Sequence, residues 1–413
     1  MLTDNEQFTK GSKALHEVIN LVIENCYLQV QGYDVGTPFI CGAPGGGKTA
    51  SLHYLSTLYN FGILSTHLAL KPLEETGGIP QFENIIINGK PMIGTIWSFP
   101  DIMKTLFELA SETISVKAKD KDGKEIIEQK PKLVIWLLDD AHLLSPIHMA
   151  LLYELLTERS LRSYKLPQNV AIVMAGNTSN KSGAKTLFSA IVNRCVMMPV
   201  HTDFDGWKTN YALTEGVKIH PAVISFLGHN QYRKYFHEEE QVDQAWGSPR
   251  SWTRFAREIL IREEWYTKTI SSDICSYLGT GYVGKEGASD FVIYYKVYSE
   301  FDIDGILMSA SSYELPDDPV KRYALAYALI TNYIGRSDRS KYTQNLAYLI
   351  DQFMIHAPEL SIMMLKEMKQ LEKTLKKRNI VDQIILQIQK IDPTRASEVL
   401  KSVIEISQSM SEV

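Results

Sequence analysis

The sequence has few of the features that anchor a protein in a membrane or stabilise it outside a reducing compartment. Its four cysteines are widely spaced and none forms a Cys-x-x-Cys pair: Cys26, Cys41, Cys195 and Cys275. This pattern indicates neither a disulfide framework nor a zinc site. No apolar run approaches the ~18 residues of a membrane-spanning helix, and the N-terminal segment is polar and acidic, unlike a signal peptide. We therefore expect a cytoplasmic protein without a membrane partner.

A strong bias in charge is also absent. The chain carries 43 basic and 48 acidic residues, for a net charge of −5. No global positive field draws it onto nucleic acid, which makes nucleic acid the less favoured partner. Hydrophobic residues make up 45% of the sequence and charged residues 22%, as in an average globular protein. The 413 residues exceed one ordinary domain and predict two or three.

The sequence does contain one cluster of glycines with an informative spacing. "GAPGGGKT" follows an apolar stretch that is typical of a strand and precedes a stretch with helical periodicity. This is the GxxxxGKT phosphate-binding pattern in its expected context. Lys48 is placed to reach the β- and γ-phosphates, and the Thr49 hydroxyl to ligate Mg²⁺. We predict ATP and Mg²⁺ as cofactors, with a nucleotide-binding segment made of Gly42, Ala43, Pro44, Gly45, Gly46, Gly47, Lys48, Thr49 and Ala50.

A second motif consists of two carboxylates at the end of an apolar strand. "VIWLLDDAH" places Asp139 and Asp140 at the carboxyl end of that strand, where ligands of α/β proteins bind. Asp139 is predicted to hold Mg²⁺, and Asp140 to polarise the attacking water. His142 follows them, and we expect it to form a hydrogen bond at the strand-to-helix turn rather than to serve as a ligand or base.

Further polar residues follow the next predicted strand and helices. Asn177 ends the strand "VAIVMAGN", where it is placed to contact the γ-phosphate or the attacking water. Arg194 lies at the end of a predicted helix, in "AIVNRC". Arg250 and Arg254 lie one turn apart on the helix that "GSPRSWTRF" begins. Taken alone, each of these residues is also compatible with an ordinary structural role.

The order of predicted elements gives the organisation of the chain. Strands alternate with helices over residues 1–200, which predicts an α/β domain with a parallel sheet. Asn88-Gly89 predicts a hairpin within this domain, and Asp122-Gly123 a second, highly charged one. Beyond residue 200 the periodicity is helical throughout. We predict a nucleotide-binding domain at 1–200, a helical lid at 201–310 and a helical C-terminal extension at 311–413.

The order of these motifs resembles that of the AAA+ ATPases, and within them the MoxR-like proteins, including those encoded by phages. The resemblance rests on "CGAPGGGKTA", "WLLDDAHLLSPIHMALLYELLTER", "LPQNVAIVMAGN", "AIVNRC" and "GSPRSWTRFAREIL", and it covers the first two-thirds of the chain well. It implies a homo-oligomeric ring, expected to have six subunits, in the cytoplasm of a bacterium or of a phage's host. It also implies that the hairpin at Asn88-Gly89 faces the central pore.

The resemblance further implies roles for four residues. Asn177 stands at the sensor-1 position, and Arg194 at the arginine finger that acts on a neighbouring subunit's ATP. Arg250 stands at sensor 2 of the lid, with Arg254 as the alternative. At position 140 the family usually has Glu, whereas this chain has the shorter Asp. Because water positioning is sensitive to shifts of about 1 Å, we expect slow or partner-stimulated turnover.

Three functions remain open at this point. The favoured one is a motor that couples ATP hydrolysis to the remodelling of a protein partner. The second is a DNA-handling AAA+ protein, such as a clamp loader or helicase loader, which salt-dependent DNA binding would reveal. The third is a nucleotide-gated scaffold that binds ATP and barely hydrolyses it. The rate of turnover per subunit separates the motor from the scaffold.

Overall fold

Two units make up the chain, one at residues 1–202 and one at residues 203–413. The computed structural model describes residues 13–119, 125–177, 188–214, 217–237, 243–336, 338–374, 379–397 and 401. The predicted division of the second half near residue 310 stays a prediction.

The first unit is built on a six-stranded sheet in which every neighbouring pair of strands is parallel. The strands of this unit are β1 (Lys13–Ala14), β2 (Thr37–Cys41), β3 (Gly62–Thr66), β4 (Pro80–Ile87), β5 (Lys90–Trp97), β6 (Thr113–Lys119), β7 (Glu125–Pro131), β8 (Val134–Leu138), β9 (Ser160–Leu161), β10 (Tyr164–Lys165), β11 (Val170–Gly176) and β12 (Cys195–His201). The order across the sheet is β1-β12-β2-β11-β8-β3. The predicted parallel α/β sheet is therefore confirmed.

Helices cover both faces of this sheet. They are α1 (Leu15–Val30), α2 (Lys48–Tyr59), α3 (Leu73–Gly77), α4 (Asp101–Ala110), α5 (Pro146–Glu158) and α6 (Ser189–Val192). Successive side chains of a strand point to opposite faces, so Trp136 joins the apolar cluster with α4 and α5, whereas Ile135 and Leu137 join the cluster with α1 and α2. Strands β2, β8 and β11 are buried at every residue, which explains why their sequences run apolar without alternation.

Two hairpins extend the first unit beyond the parallel sheet. β4 and β5 pair in antiparallel orientation, and the two turn residues, Asn88 and Gly89, have φ angles of 52° and 77°. Positive φ at both turn positions is what a type I′ hairpin turn requires, so this prediction is confirmed. β6 and β7 form the second predicted hairpin. Its Asp122-Gly123 turn lies outside the described residues.

The start of one helix follows its sequence signals closely, and the start of another does not. Helix α5 is capped by the Ser145 hydroxyl, which accepts a hydrogen bond from the backbone N–H of His148, and Pro146 occupies the first turn. The apolar spacing of residues 12–30 predicts a helix over that range, and the structure begins this helix at Leu15, three residues later. Lys13 and Ala14 form a short strand that pairs with Val200 and His201 of β12, a contact with no local sequence signal.

The second unit is helical throughout the part of it that the structure describes. Its helices include α7 (Phe204–Trp207), α8 (Pro221–Gly228), α9 (Pro249–Tyr266), α10 (Ser272–Val283), α11 (Lys285–Ser299), α12 (Ile303–Met308), α13 (Pro319–Gly335), α14 (Thr343–His356), α15 (Pro358–Thr374) and α16 (Ile380–Ile391). Two apolar clusters fill it, and α13 contributes to both, through Ala324 to one and Leu325 to the other. In the described part of the chain, no helix combines the length and apolar character that crossing a membrane requires.

Candidate active site

The predicted phosphate-binding loop lies between β2 and the first turn of α2. Gly47 caps the helix with a φ of 90°, a left-handed conformation that a residue with a side chain rarely adopts. Gly42 is required for space, because a Cβ there would lie 2.5 Å from the carbonyl oxygen of Val200. Lys48, Thr49 and Ala50 then form the start of α2. A glycine-rich turn that opens a helix is the geometry that presents backbone N–H groups to phosphate.

Lys48 lies beneath this loop and is almost fully buried, with 8% of its surface exposed. Its Nζ donates hydrogen bonds to the carbonyl oxygens of Gly42 and Ala43, at 3.0 and 2.9 Å. It also donates one to Oδ1 of Asn177, at 3.0 Å. The ammonium group therefore joins the loop to the end of β11, and the structure brings the predicted Lys48 and Asn177 together.

Thr49 and Asp139, the two predicted Mg²⁺ ligands, are in direct contact. They lie 90 residues apart in sequence, yet the Thr49 hydroxyl donates to Oδ2 of Asp139 at 2.5 Å. Oδ1 of Asp139 accepts a hydrogen bond from the backbone N–H of Asp140 at 2.9 Å, which fixes the carboxylate plane. A hydroxyl and a carboxylate are the hard oxygen ligands that Mg²⁺ prefers. These two side chains therefore fit the predicted ion.

Asp140 adopts an unusual backbone conformation, with φ at 52° and ψ at 35°. Aspartate tolerates this left-handed region better than most residues. Its side chain is partly exposed, and Oδ2 lies 3.1 Å from Nδ1 of His67. His67 was missed by the sequence reasoning. The available signal was its place directly after β3, which pairs with β8 so that Thr66 stands opposite Leu138.

His142 is buried and contacts Asn177. Its Nδ1 accepts a hydrogen bond from the backbone N–H of Asn177 at 3.1 Å, as expected for a residue that stabilises the turn. Burial lowers the pKa of His142, and nearby Asp140 opposes part of that effect. Both the lowered pKa and the accepting Nδ1 favour a neutral ring. Among the described residues, no group of three His, Cys, Asp or Glu side chains could hold a metal.

Arg194 lies at the opposite edge of the same sheet. Its carbonyl oxygen accepts a hydrogen bond from the backbone N–H of Thr37, the first residue of β2, at 2.9 Å. The phosphate-binding loop follows Cys41, the last residue of that strand. At ~3.3 Å per residue, the two ends of β2 are separated by about 13 Å. We call the end that bears the loop the carboxyl edge, and the end that bears Arg194 the amino edge.

Arg250 belongs to the second unit. It follows Pro249 in the first turn of α9, where Ser248 and Ser251 form a reciprocal capping box. Arg254 lies one turn further along, and both arginine residues are exposed. Their assignment to sensor 2, with Arg250 preferred over Arg254, stays a prediction.

No protein-family model matches the sequence, and no curated protein matches it. Among solved structures, the RuvB Holliday junction branch migration motor of Thermotoga maritima is similar over 79% of this chain and 83% of its own, with 12% identity and a TM-score of 0.35. NtrX from Brucella abortus is similar over 75% of this chain and 68% of its own, with 11% identity and a TM-score of 0.31. Similarity at this level assigns no function, so the functional argument rests on the geometry of the site.

Proposed function

We propose that the chain is an ATP-binding and ATP-hydrolysing protein of the AAA+ type. The observation that carries the proposal is the contact between Thr49 and Asp139, at 2.5 Å across 90 residues of sequence. Two oxygen ligands meet there, beside a buried lysine and a glycine-rich helix start. A structural turn needs none of these side chains together, whereas binding of a nucleotide with Mg²⁺ needs all of them.

The residues at the carboxyl edge have separable roles in this proposal. Thr49 and Asp139 would hold Mg²⁺, which would neutralise charge on the phosphates. Lys48 would exchange its bonds to the two loop carbonyls for the β- and γ-phosphates, while its bond to Asn177 keeps that amide beside the terminal phosphate. Asp140 accepts a proton from the attacking water or orients it. The contact between Asp140 and His67 supports this role, because it holds the carboxylate at the edge of the sheet.

The proposal includes a second copy of the chain. Hydrolysis builds charge on the γ-phosphoryl group, and a guanidinium that stabilises it is worth roughly 10³-fold or more. About 13 Å along β2 separate Arg194 from its own loop, so we assign Arg194 to the nucleotide of a neighbouring subunit. A homo-oligomeric ring of six such subunits, as in MoxR-like proteins, satisfies this requirement.

The proposed work of the ring is the remodelling of a protein partner. The hairpin of β4 and β5 supports a protein partner, because it exposes large apolar side chains to solvent. Phe82, Ile86 and Ile93 share one face of the hairpin and are 79%, 78% and 74% exposed. Exposed apolar patches of this kind mark interaction sites. A variant that holds ATP without hydrolysing it, Asp140→Asn, is the form in which to capture such a partner from a lysate.

Mixing two inactive variants tests the enzyme and the ring together. Lys48→Ala subunits offer Arg194 but lack the cation of the loop, whereas Arg194→Ala subunits keep the loop but offer no finger. In mixed rings some interfaces contain both intact halves, so ATPase activity should return above the sum of the separate samples and fade on dilution. Fluorescence transfer between labelled subunits reports exchange. Exchange without recovered activity would contradict a trans-acting Arg194.

A further inference from the structure

The side chain of Arg194 is held in place by side chains of its own chain. Nη2 donates to the Tyr153 hydroxyl and Nε donates to the Thr157 hydroxyl, both at 2.9 Å. Nη1 donates to the carbonyl oxygen of Ala190, also at 2.9 Å. The guanidinium carbon lies 4.2 Å from the centre of the Tyr153 ring, within the range of a cation–π contact. Each of the three guanidinium nitrogens therefore has a partner in the chain.

Helix α5 is well suited to fix this arrangement. Tyr153 and Thr157 are one turn apart on the helix, so their side chains share a face. The Thr157 hydroxyl donates its own proton to the carbonyl oxygen of Tyr153 at 2.7 Å. Because that proton is committed, the hydroxyl oxygen faces Arg194 as an acceptor. The helix thus supplies two acceptors and an aromatic face at fixed positions.

The arrangement leaves part of the guanidinium group available. An arginine side chain has five N–H donors, and the three hydrogen bonds occupy one on each nitrogen. One N–H remains on Nη1 and one on Nη2. Arg194 forms no ion pair with any carboxylate in the described part of the chain, and its side chain is partly exposed. A remaining donor on each outer nitrogen is compatible with bidentate recognition of a phosphate.

We propose that Tyr153 and Thr157 are positioning residues that orient Arg194 for the nucleotide of the neighbouring subunit. This inference rests on the proposed function, in which Arg194 acts across the subunit interface. An unrestrained arginine loses rotamer entropy when it engages a phosphate. Restraint by α5 removes part of that loss before subunits meet, because a group held near its productive geometry needs little reorganisation. The alternative is that these hydrogen bonds hold Arg194 against the surface of its own subunit and must break before it acts.

The complementation experiment separates these possibilities when the new substitution is placed in only one subunit. Tyr153→Phe keeps the ring but loses the hydroxyl acceptor, and Thr157→Val keeps the shape but loses the hydroxyl. In the Lys48→Ala subunit, which donates Arg194, either change should lower the recovered kcat about fivefold. In the Arg194→Ala subunit, which has no guanidinium to orient, the same change should leave the recovered kcat as it was. KM for ATP should not change in either placement.

Two controls make the outcomes distinct. Thr157→Ser retains the hydroxyl but removes a methyl group, and it should retain the recovered activity. If the loss in Thr157→Val came instead from disturbed packing of α5, Thr157→Ser would lose activity as well. The positioning role is overturned by an equal loss in both placements, by no loss in either, or by a rise in activity. A rise would favour the alternative, in which these bonds hold Arg194 away from its working position. The mixture of Lys48→Ala and Arg194→Ala subunits, with Tyr153 and Thr157 intact, is the second control. If its subunits exchange but no ATPase activity returns, the proposed trans action of Arg194 fails, and the inference fails with it.

Discussion

The two edges of the parallel sheet each hold a cationic side chain, and they hold it in different ways. At the carboxyl edge, Lys48 is nearly buried and its ammonium group binds two carbonyl oxygens of its own loop and the amide of Asn177. At the amino edge, Arg194 is partly exposed and binds two hydroxyls and one carbonyl oxygen. The first set joins separate segments of the chain into one site. The second set fixes one side chain at the surface.

This difference indicates which part of the chemistry is complete within a single chain. The carboxyl edge brings a lysine, a hydroxyl, two carboxylates and an amide together, so nucleotide binding should require no partner. The amino edge offers a guanidinium with no phosphate-binding loop beside it, so the role proposed for Arg194 requires a second copy of the chain. Substitutions at the two edges should therefore separate binding from turnover.

The largest expected effect comes from Lys48→Ala. This change removes the cation that lies beneath the phosphate-binding loop, and we expect binding of ATP at micromolar concentration to disappear while the fold persists. Isothermal titration calorimetry measures the loss, and circular dichroism checks the fold. Arg194→Ala is the matched control, since it removes a cation from the other edge and should bind ATP with unchanged affinity. Normal affinity in Lys48→Ala would refute the assignment of the loop.

The sequence predicts the parts of the two sites that are encoded by contiguous motifs, and it does not predict contacts between distant residues. The loop, Lys48 and the Asp139-Asp140 pair are contiguous patterns, and parallel strands end at a common edge, so their meeting was predictable. The partner of Asp140, His67, lies 73 residues away and follows a strand whose neighbour only the tertiary structure defines. The contacts of Arg194 with Tyr153 and Thr157 depend in the same way on how α5 packs beside α6. Neither pairing has a signature in local propensity or periodicity.

A smaller effect is expected from Asp140→Asn, which separates nucleotide binding from turnover within the carboxyl edge. Neutralising the carboxylate should leave ATP binding intact and lower turnover on the order of 10²-fold. Phosphate release under saturating ATP and Mg²⁺ measures the rate, and calorimetry measures the binding. Asp140→Glu is the conservative partner variant, and a gain in rate would show that the pocket has room for the longer side chain. If the unsubstituted protein hydrolyses ATP no faster than Asp140→Asn, a nucleotide-gated scaffold replaces the motor.

The smallest expected effect concerns His142 and the dependence of stability on pH. The folded protein needs a neutral His142, because Nδ1 accepts the backbone N–H of Asn177 and burial lowers the pKa of the ring. In the unfolded chain histidine titrates near its ordinary pKa of ~6.5. Between the lowered folded pKa and the ordinary one, the unfolded state binds more protons. The contribution of His142 to stability is therefore complete above the ordinary pKa and is lost as the pH falls through the folded pKa.

His142→Ala should test this by changing both the level and the slope of stability. At neutral pH the backbone N–H of Asn177 loses its acceptor, which should cost about 0.5–1.5 kcal/mol of the free energy of unfolding. As the pH falls, the difference from the unsubstituted protein should shrink, because the variant has no ring to protonate. Urea denaturation at a series of pH values measures both quantities. His53→Ala, at an exposed histidine of the same unit, is the matched control for loss of an imidazole ring. If the difference in free energy of unfolding stayed constant with pH, folding would not lower the pKa of His142. That result would contradict the burial of this ring at the carboxyl edge.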